Sequence, residues 1–216
     1  MVNSSIADLR QNYTLAGLEV TDVNSNPIEQ FNIWFQQALA AEILEPNAMT
    51  LATASPDGKP TARIVLLKGV SDRGFVFYTN YRSLKGKQLT ANPYAALVFL
   101  WDKLERQVRI EGKVEKLTAS ESDEYFHSRP KASQLGAIAS NQSQIISNRQ
   151  VLENNLATLE SQYSDADKIP RPAHWGGFRV IPDRIEFWQG RPSRLHDRLL
   201  YSLQADGTWQ IDRLSP

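Results

Sequence analysis

The chain has 216 residues, 41% of them hydrophobic, enough for one large domain or two small ones with a substantial core. Lys and Arg together number 24 and so do Asp and Glu, so no global charge points to a nucleic acid or a membrane surface as partner. Cysteine is absent, which excludes disulfides, thiolate metal sites and cysteine nucleophiles and fits a reducing cytoplasm.

The N-terminus shows no basic start followed by an apolar run, so no signal peptide is expected, and no stretch approaches the roughly 20 apolar residues of a membrane span. Residues 1–25 are polar and read as a flexible arm with a short helix around Ile6 to Tyr13. Residues 26–216 read as a single domain. Asn26 caps a helix with Pro27 at its first position and Glu29 at its third, a pattern close to a capping box. Ile28, Phe31, Phe35, Ala38 and Leu39 follow a helical stripe that covers one side of a core.

From Ala48 the period shifts toward strands. Met49 to Thr53, the turn Ser55 to Pro60, and Thr61 to Lys68 read as a hairpin. Period-two alternation puts Arg63, Val65 and Leu67 on one face and Ile64, Leu66 and Lys68 on the other. A cation at each end could meet two different anions, or both could be solvated strand ends. Gly69 to Gly74 reads as a turn into a strand over Phe75 to Thr79. Ser83 caps a short helix ending near Asn92 and Pro93. Tyr94 to Trp101 and Gln107 to Leu117 are two further strands. A helical region runs from Ala119 to about Tyr163, broken at Pro130 and loosened by the polar run Ser140 to Gln144. Strand-forming runs then return at Phe178 to Ile181, Arg184 to Trp188 and Leu199 to Leu203, closing in a hairpin whose turn holds Asp206 and Gly207. Short hairpin-linked strands without regular crossover helices argue for a mainly β barrel or sandwich with flanking α-helices, and against a doubly wound parallel sheet.

Several chemistries lack their parts. There is no Gly-x-Gly-x-x-Gly, and Phe75-Val76 stand where a phosphate loop starting at Gly69 would need Lys-Ser or Lys-Thr. The histidines at 127, 174 and 196 are far apart and no His-Glu-x-x-His occurs, so no metal is expected. Other segments are rich in anion-binding groups. Tyr78 to Lys87 runs a strand into a capped helix start, where helix N–H groups, Lys85 and Lys87 suit a phosphate; a plain surface turn fits the same residues. Tyr125, Arg129 and Ser133 offer a phenol, a guanidinium and a hydroxyl within nine residues, suitable for a phosphate monoester. Phe187 to Arg198 packs Trp188, Arg191, Arg194, His196 and Arg198 between two strand-forming runs.

Taken in order, Arg63-Ile-Val-Leu-Leu-Lys68, Phe77-Tyr-Thr-Asn80, Leu104-Glu-Arg-Gln-Val108, Tyr125-Phe-His-Ser-Arg-Pro130, Phe178-Arg179, Phe187-Trp-Gln-Gly190 and Arg194-Leu-His-Asp-Arg198 resemble the pyridoxamine 5'-phosphate oxidase family, and the resemblance extends from Ala48 to the closing Ile211 to Pro216. It implies an FMN-binding split β-barrel acting as a homodimer whose active sites are each built from both subunits. It also implies oxidation of pyridoxamine or pyridoxine 5'-phosphate by O2 to pyridoxal 5'-phosphate and hydrogen peroxide, with ammonia released from the amine. The family's FMN contacts fall on Arg63, Ile64, Val65, Leu66, Leu67, Lys68, Tyr78, Thr79, Lys85, Gln107, Gln142, Ser143, Trp188 and Arg198. Its substrate contacts fall on Lys68, Tyr125, Arg129, Ser133, Arg194, Leu195 and His196, with Arg10 and Tyr13 as lid residues. Arg194 and His196 carry the catalytic expectation: two apart on an extended segment, they would project from one face toward the substrate ring. Arg198 is expected at the flavin pyrimidine edge. The chain departs from the family at Leu84, where an arginine is usual, with Lys87 or Arg82 as substitutes, and at Gln11-Asn12 in the arm. His127 and His174 read as structural, Trp175 as core or dimer contact, Asp197 as a neutraliser of arginines and Arg191 as a solvated bystander. Two rivals stand beside this reading: another FMN split-barrel enzyme with a different substrate, and a non-catalytic flavin- or pyridoxal-phosphate-binding protein.

Overall fold

The computed structural model describes Ser5, Ile6, Leu9 and residues 11–216. The chain is mainly β, with nine strands and five α-helices among these residues. The strands are β1 (Ala48–Ala54), β2 (Pro60–Leu66), β3 (Gly69–Ser71), β4 (Gly74–Asn80), β5 (Tyr94–Trp101), β6 (Arg106–Lys116), β7 (Trp175–Gln189), β8 (Asp197–Leu203) and β9 (Trp209–Arg213). The helices are α1 (Pro27–Ala40), α2 (Leu84–Ala91), α3 (Ala119–Ser128), α4 (Lys131–Ala139) and α5 (Gln150–Gln162). Hydrogen-bonded neighbours follow the order β2-β1-β5-β6-β7-β4-β3, with β8 pairing β7 and β9 pairing β8.

The segment expected to turn between Gly69 and Gly74 contains β3, which pairs antiparallel with β4 in a tight hairpin (Val70 opposite Phe75). The two strand runs on either side of Pro182 form one strand, β7. Its residues 175–180 pair antiparallel with β4 and its residues 184–189 with β8. Pro182 has no N–H to donate and falls between the residues that pair with β4 and those that pair with β8.

The chain divides into two compact units. The first comprises Met1–Met49, Leu97–Glu111 and Pro182–Pro216. Its core is aromatic: Phe31 lies 5.1 Å from Phe99 and 5.9 Å from Trp101, and Trp34 meets Phe187 edge-on at 5.1 Å. Asn26 caps α1 as expected, its side chain accepting from Ile28 N at 2.9 Å. The buried stripe differs from the expected one. Trp34 and Gln30 are buried, whereas Leu39 is exposed and Phe35 half-buried. Gln30 is accommodated because its Oε1 accepts from Asn24 N at 2.9 Å. Of the expected helix over Ile6 to Tyr13, residues 11–13 are irregular, and several others lie outside the described residues.

The second unit comprises Thr50–Ala96 and Gly112–Ile181. Phe126, Leu135, Ile169 and Trp175 form a buried cluster, with Tyr78, Tyr125, Leu156, Leu159 and Tyr163 packed against it. Thr118 starts α3 with a full capping box: Glu121 N donates to Thr118 Oγ1, and the Glu121 carboxylate accepts from Thr118 N and Oγ1. Those bonds and Arg179 hold the Glu121 carboxyl at about 2, well below the usual carboxylate range. Ser83 caps α2 by accepting from Gly86 N. A Cβ at position 86 would lie 2.4 Å from the Tyr81 carbonyl oxygen, so this turn admits only glycine.

The Asn26 side chain caps the α1 start by accepting from Ile28 N. Asn26→Ala should cost about 1 kcal/mol and lower the melting temperature by roughly 2–4 °C. Differential scanning calorimetry of the two proteins measures it, and an unchanged Tm would show that the cap contributes nothing.

Candidate active site

Two cavities gather most of the residues singled out from the sequence, one in each unit. The cavity of the second unit encloses about 700 Å³. The exposed face of β2 (Ile64, Leu66) and Lys68, two residues beyond it, meet Val65, the end of β4 (Tyr78, Thr79, Asn80), Lys85 of α2, and Tyr125, Arg129 and Ser133 at the junction of α3 and α4. Gln142 and Trp175 complete the wall. Leu67 is buried and does not line the cavity.

Arg63, Lys85 and Arg129 of this unit are cations whose pKa burial pulls down, and none of them has a carboxylate partner among the described residues. Lys85 Nζ donates to Thr79 Oγ1 and to Gln142 Oε1, each at 3.4 Å, and Thr79 Oγ1 donates to Gln142 Oε1 at 3.1 Å. Burial, with the nearby Arg63 charge, pushes the Lys85 pKa down. Arg63 is not part of the cavity lining; it donates from Nη1 to Thr53 Oγ1 at 2.6 Å and to Leu51 O at 3.3 Å, and from Nη2 to Thr61 Oγ1. Both threonines in turn donate to Gln88 Oε1, at 2.7 and 2.8 Å. Arg129 packs over aromatic rings, its Cζ 4.7 Å from the Trp175 centroid, and its Nη1 is buried without a hydrogen-bond partner. The donor set is thus cationic and incompletely satisfied, as an anionic ligand requires. No side-chain hydrogen bond caps the N-terminus of α4 beside Arg129, and Ser133 N donates to Pro130 O at 2.8 Å.

Tyr78, Tyr125 and Trp175 form a parallel column: Tyr78 stacks on Tyr125 at 3.9 Å and on Trp175 at 5.6 Å. Burial and the neighbouring Tyr125 raise the Tyr78 hydroxyl to about 12, so it stays a protonated donor at neutral pH. Trp175, expected as core or dimer contact, is buried and also forms cavity wall. Ser143 follows Gln142 in the left-handed region (φ 70°), is exposed, and does not line the cavity. Leu84 is half exposed on α2 and supplies no charge.

The first unit holds a cavity of about 580 Å³ lined by Tyr13, Trp188, Arg191, Ser193, Arg194 and His196, among others. The segment Pro192–Arg194 is a 3-10 turn with φ 57° at Ser193 and 63° at Arg194, not the extended run expected. Arg194 and His196 nevertheless reach one cavity, brought there by the turn and not by alternation. Leu195 is 70% exposed and points elsewhere. His196 lies 4.6 Å from the Trp188 ring, and Tyr13 meets both rings edge-on at 5.8 Å. A Cβ at Gly190 would fall 2.7 Å from the Tyr13 ring, so the glycine is what admits it. His196 Nδ1 accepts from Arg191 N at 3.1 Å, which places the proton of the neutral ring on Nε2. Burial and the Arg194 charge depress the His196 pKa below 6.5.

Two expectations change in this unit. Arg191 is no solvated bystander: its Nη1 donates to Ala16 O at 3.1 Å and its Nε pairs with Asp197 at 3.4 Å. Asp197 also pairs with Arg213 and accepts from Leu18 N, so it neutralises arginines as expected and additionally secures the N-terminal segment. Arg198 is held by a bidentate pair with the buried Glu186 at 2.8 and 3.1 Å, and donates to Ser215 O. Glu186 serves Arg109 as well. Gln107 is half-buried on β6. Arg10, expected as a lid residue, lies outside the described residues. His127 is structural, its Nε2 3.0 Å from Ile169 O. Sequence reading missed the Thr53, Thr61 and Gln88 clamp on Arg63. The i, i+2 placement of Thr61 and Arg63 on one strand face was the available signal. It also missed Glu186, whose partners are 12 and 77 residues away.

Residues 35–163 match the family model described as pyridoxamine 5'-phosphate oxidase, and residues 175–216 match that of the pyridoxine 5'-phosphate oxidase C-terminal dimerisation region. The chain is 62% identical over 215 residues to a curated pyridoxine/pyridoxamine 5'-phosphate oxidase of Gloeothece citriformis, covering 100% of both. It is 64% identical over 212 residues to the protein of that name from Synechocystis sp., covering 98% of each. Among solved structures, PhzG from Burkholderia lata in complex with tetrahydrophenazine-1-carboxylic acid superposes with a TM-score of 0.88 at 31% identity, covering 95% of this chain and 100% of that one. A pyridoxamine 5'-phosphate oxidase-related, FMN-binding protein of Nostoc punctiforme shares the fold with a TM-score of 0.70 at 17% identity, covering 86% of this chain and 97% of that one.

The His196 environment has a pH signature. Its folded pKa lies below 6.5, so the unfolded chain takes up the proton first as pH falls. Its stabilising contribution is therefore complete above pH 6.5 and is lost as pH falls through the folded value, when Nδ1 can no longer accept from Arg191 N. NMR titration of the ring should give a midpoint below 6.5; one above it would contradict this environment.

Proposed function

The chain belongs to the pyridoxamine 5'-phosphate oxidase family, and from that premise we propose that it oxidises pyridoxamine 5'-phosphate and pyridoxine 5'-phosphate to pyridoxal 5'-phosphate with FMN as cofactor. The observation that carries this reading is the cavity of the second unit. It offers cations without carboxylate partners at two places, Lys85 beside Thr79 and Gln142, and Arg129 beside Tyr125 and Ser133. A reaction between two phosphorylated molecules needs two anchors of this kind. Lys85, Thr79, Tyr78, Gln142, Ser143 and the β2 segment Arg63 to Lys68 would hold FMN, together with Gln107, Trp188 and Arg198. Tyr125, Arg129, Ser133 and Lys68 would hold the substrate phosphate.

When bound, FMN would supply acceptance of a hydride from the substrate C4' carbon and delivery of its two electrons to O2, giving hydrogen peroxide. The alcohol then becomes the aldehyde directly, and the amine does so with uptake of water and release of ammonia. Everything else in the reaction is placement by the protein. Binding energy from the remote substrate phosphate is spent on orientation at C4'. Arg194 and His196 act on the substrate ring: Arg194 supplies charge, and neutral His196 presents Nε2–H as a donor. Arg198 keeps N–H groups beyond those that Glu186 and Ser215 occupy, and these would face the flavin pyrimidine edge. Tyr13, with Arg10, would close over the substrate. A homodimer with each site built from both subunits fits the match of residues 175–216 to a dimerisation region. Residues 26–216 would work as one functional domain behind the arm, in the cytoplasm; no helix among the described residues is long and apolar enough to cross a membrane.

Purified protein should be yellow, consume O2 on addition of pyridoxamine 5'-phosphate, and form peroxide and aldehyde in equal amounts. A flavin-loaded protein that makes neither product would sink the oxidase reading. Lys85→Met should weaken FMN binding roughly 10- to 100-fold, the loss of one charge-assisted contact. His196→Asn should lower turnover by about tenfold or more while FMN retention changes little; unchanged turnover would remove His196 from the mechanism.

A further inference from the structure

We propose that Trp175 is a positioning residue for phosphate recognition: its ring face holds the Arg129 guanidinium without using up the charge or the N–H groups that a phosphate needs. The inference rests on the reading that Arg129 binds the substrate phosphate. The way arginines are fixed in this chain carries it. Arg179 is held by the Glu115 and Glu121 carboxylates at 2.7 and 2.8 Å, Arg171 by Asp123 at 2.6 Å, and Arg198 by Glu186 at 2.8 Å. Each of those pairs neutralises its arginine and occupies its donors. Arg129 has no such partner among the described residues, and its Nη1 is buried without a hydrogen-bond partner. It lies instead with Cζ 4.7 Å from the Trp175 ring centroid and 5.9 Å from that of Phe126.

A ring face attracts a cation through its quadrupole, and the attraction leaves the formal charge intact and the in-plane N–H groups available. Tryptophan provides the strongest such face, and a desolvated setting strengthens it. Trp175 is only 7% exposed. Its position is fixed at the start of β7, where its N–H donates to Pro172 O at 2.9 Å, and by the parallel stack on Tyr78. Tyr125, a second member of the phosphate set, belongs to the same column, its ring 6.2 Å from Trp175 and 6° from parallel. One indole therefore orients two of the three groups expected on the phosphate. The backbone of Arg129 is set separately, by its N–H to Phe126 O and by Gln134 Nε2 donating to its carbonyl at 2.8 Å, so the ring governs the guanidinium alone.

The test compares pyridoxamine 5'-phosphate with unphosphorylated pyridoxamine on the FMN-loaded enzyme. Trp175→Leu should lower the ratio of the two kcat/KM values about tenfold or more, mainly through KM for the phosphorylated substrate, and should weaken inhibition by inorganic phosphate in parallel. Trp175→Phe should restore most of the ratio. Because loss of a buried indole can disturb folding, site-specific fluorotryptophans at position 175 provide the second arm. They keep the shape and weaken the quadrupole, so KM for the phosphorylated substrate should climb with each added fluorine while that for pyridoxamine stays level. A flat response to fluorination, or an unchanged ratio in Trp175→Leu, overturns the inference. Arg129→Leu separates this failure from that of the underlying reading: if it leaves the ratio unchanged, Arg129 does not bind the phosphate at all.

Discussion

A half-buried cation with no carboxylate beside it is a standing cost that a bound anion removes, and the second unit of this protein holds Arg63, Lys85 and Arg129 in that condition. In all three, burial pulls the pKa below its ordinary value, and Lys85 also feels Arg63. The arrangement is not forced by a shortage of acids, since acidic and basic residues are equal in number. The carboxylates are used elsewhere: Glu115 and Glu121 on Arg179, Asp123 on Arg171, Glu186 on Arg198 and Arg109. Ion pairs fix the frame, while Lys85 and Arg129 line the cavity unpaired. Among these acids Glu186 is the buried one, and its loss would strand Arg198 without its partner.

Holding a cation without neutralising it requires neutral supports, and the chain uses two kinds. Arg63 rests on hydroxyl and carbonyl oxygens, with Gln88 accepting from both threonines so that their lone pairs are directed at the guanidinium. Arg129 rests on indole and phenyl faces. Both supports are rigid: the first bridges two strands and α2, the second is locked in an aromatic column. Rigid support means that little side-chain entropy remains to be lost when an anion arrives.

The sequence made the period of each element legible and left its long-range partners hidden. Asn26-Pro27, Ser83 and Thr118 mark helix starts because a cap is a contact within three residues of itself, and β2 alternates because pleating alone dictates it. Trp34 was overlooked beside Phe35 because neighbouring aromatics differ only in which faces Phe187, a residue 153 positions away by number. The long strand β7 looked like two runs because Pro182 reads as a breaker unless both flanking ladders are known. Motif resemblance named Tyr125, Arg129 and Ser133, and they do share a cavity. It was silent on Thr53, Gln88 and Trp175, whose work is to hold other residues. Arg191 reads as solvated because its partner Ala16 is 175 positions away, although Asp197 is read as a neutraliser of arginines.

The cluster around His196 shows how a short segment can set a proton without a buried acid. Ser193 and Arg194 both adopt left-handed backbone, a costly conformation for residues with a Cβ. The turn survives because its flanks are tied: Arg191 to Ala16 and Asp197, and Asp197 to Arg213 and Leu18. The gain from this strained path is that the Arg191 N–H points at His196 Nδ1. A backbone donor cannot ionise or rotate away, so it fixes the tautomer more firmly than a side-chain partner would, and it opposes protonation of the ring. Arg194 next to it opposes protonation too. The imidazole is thereby kept neutral with its remaining N–H directed away from the turn, a state suited to donating a hydrogen bond to a substrate and ill suited to acting as a strong acid.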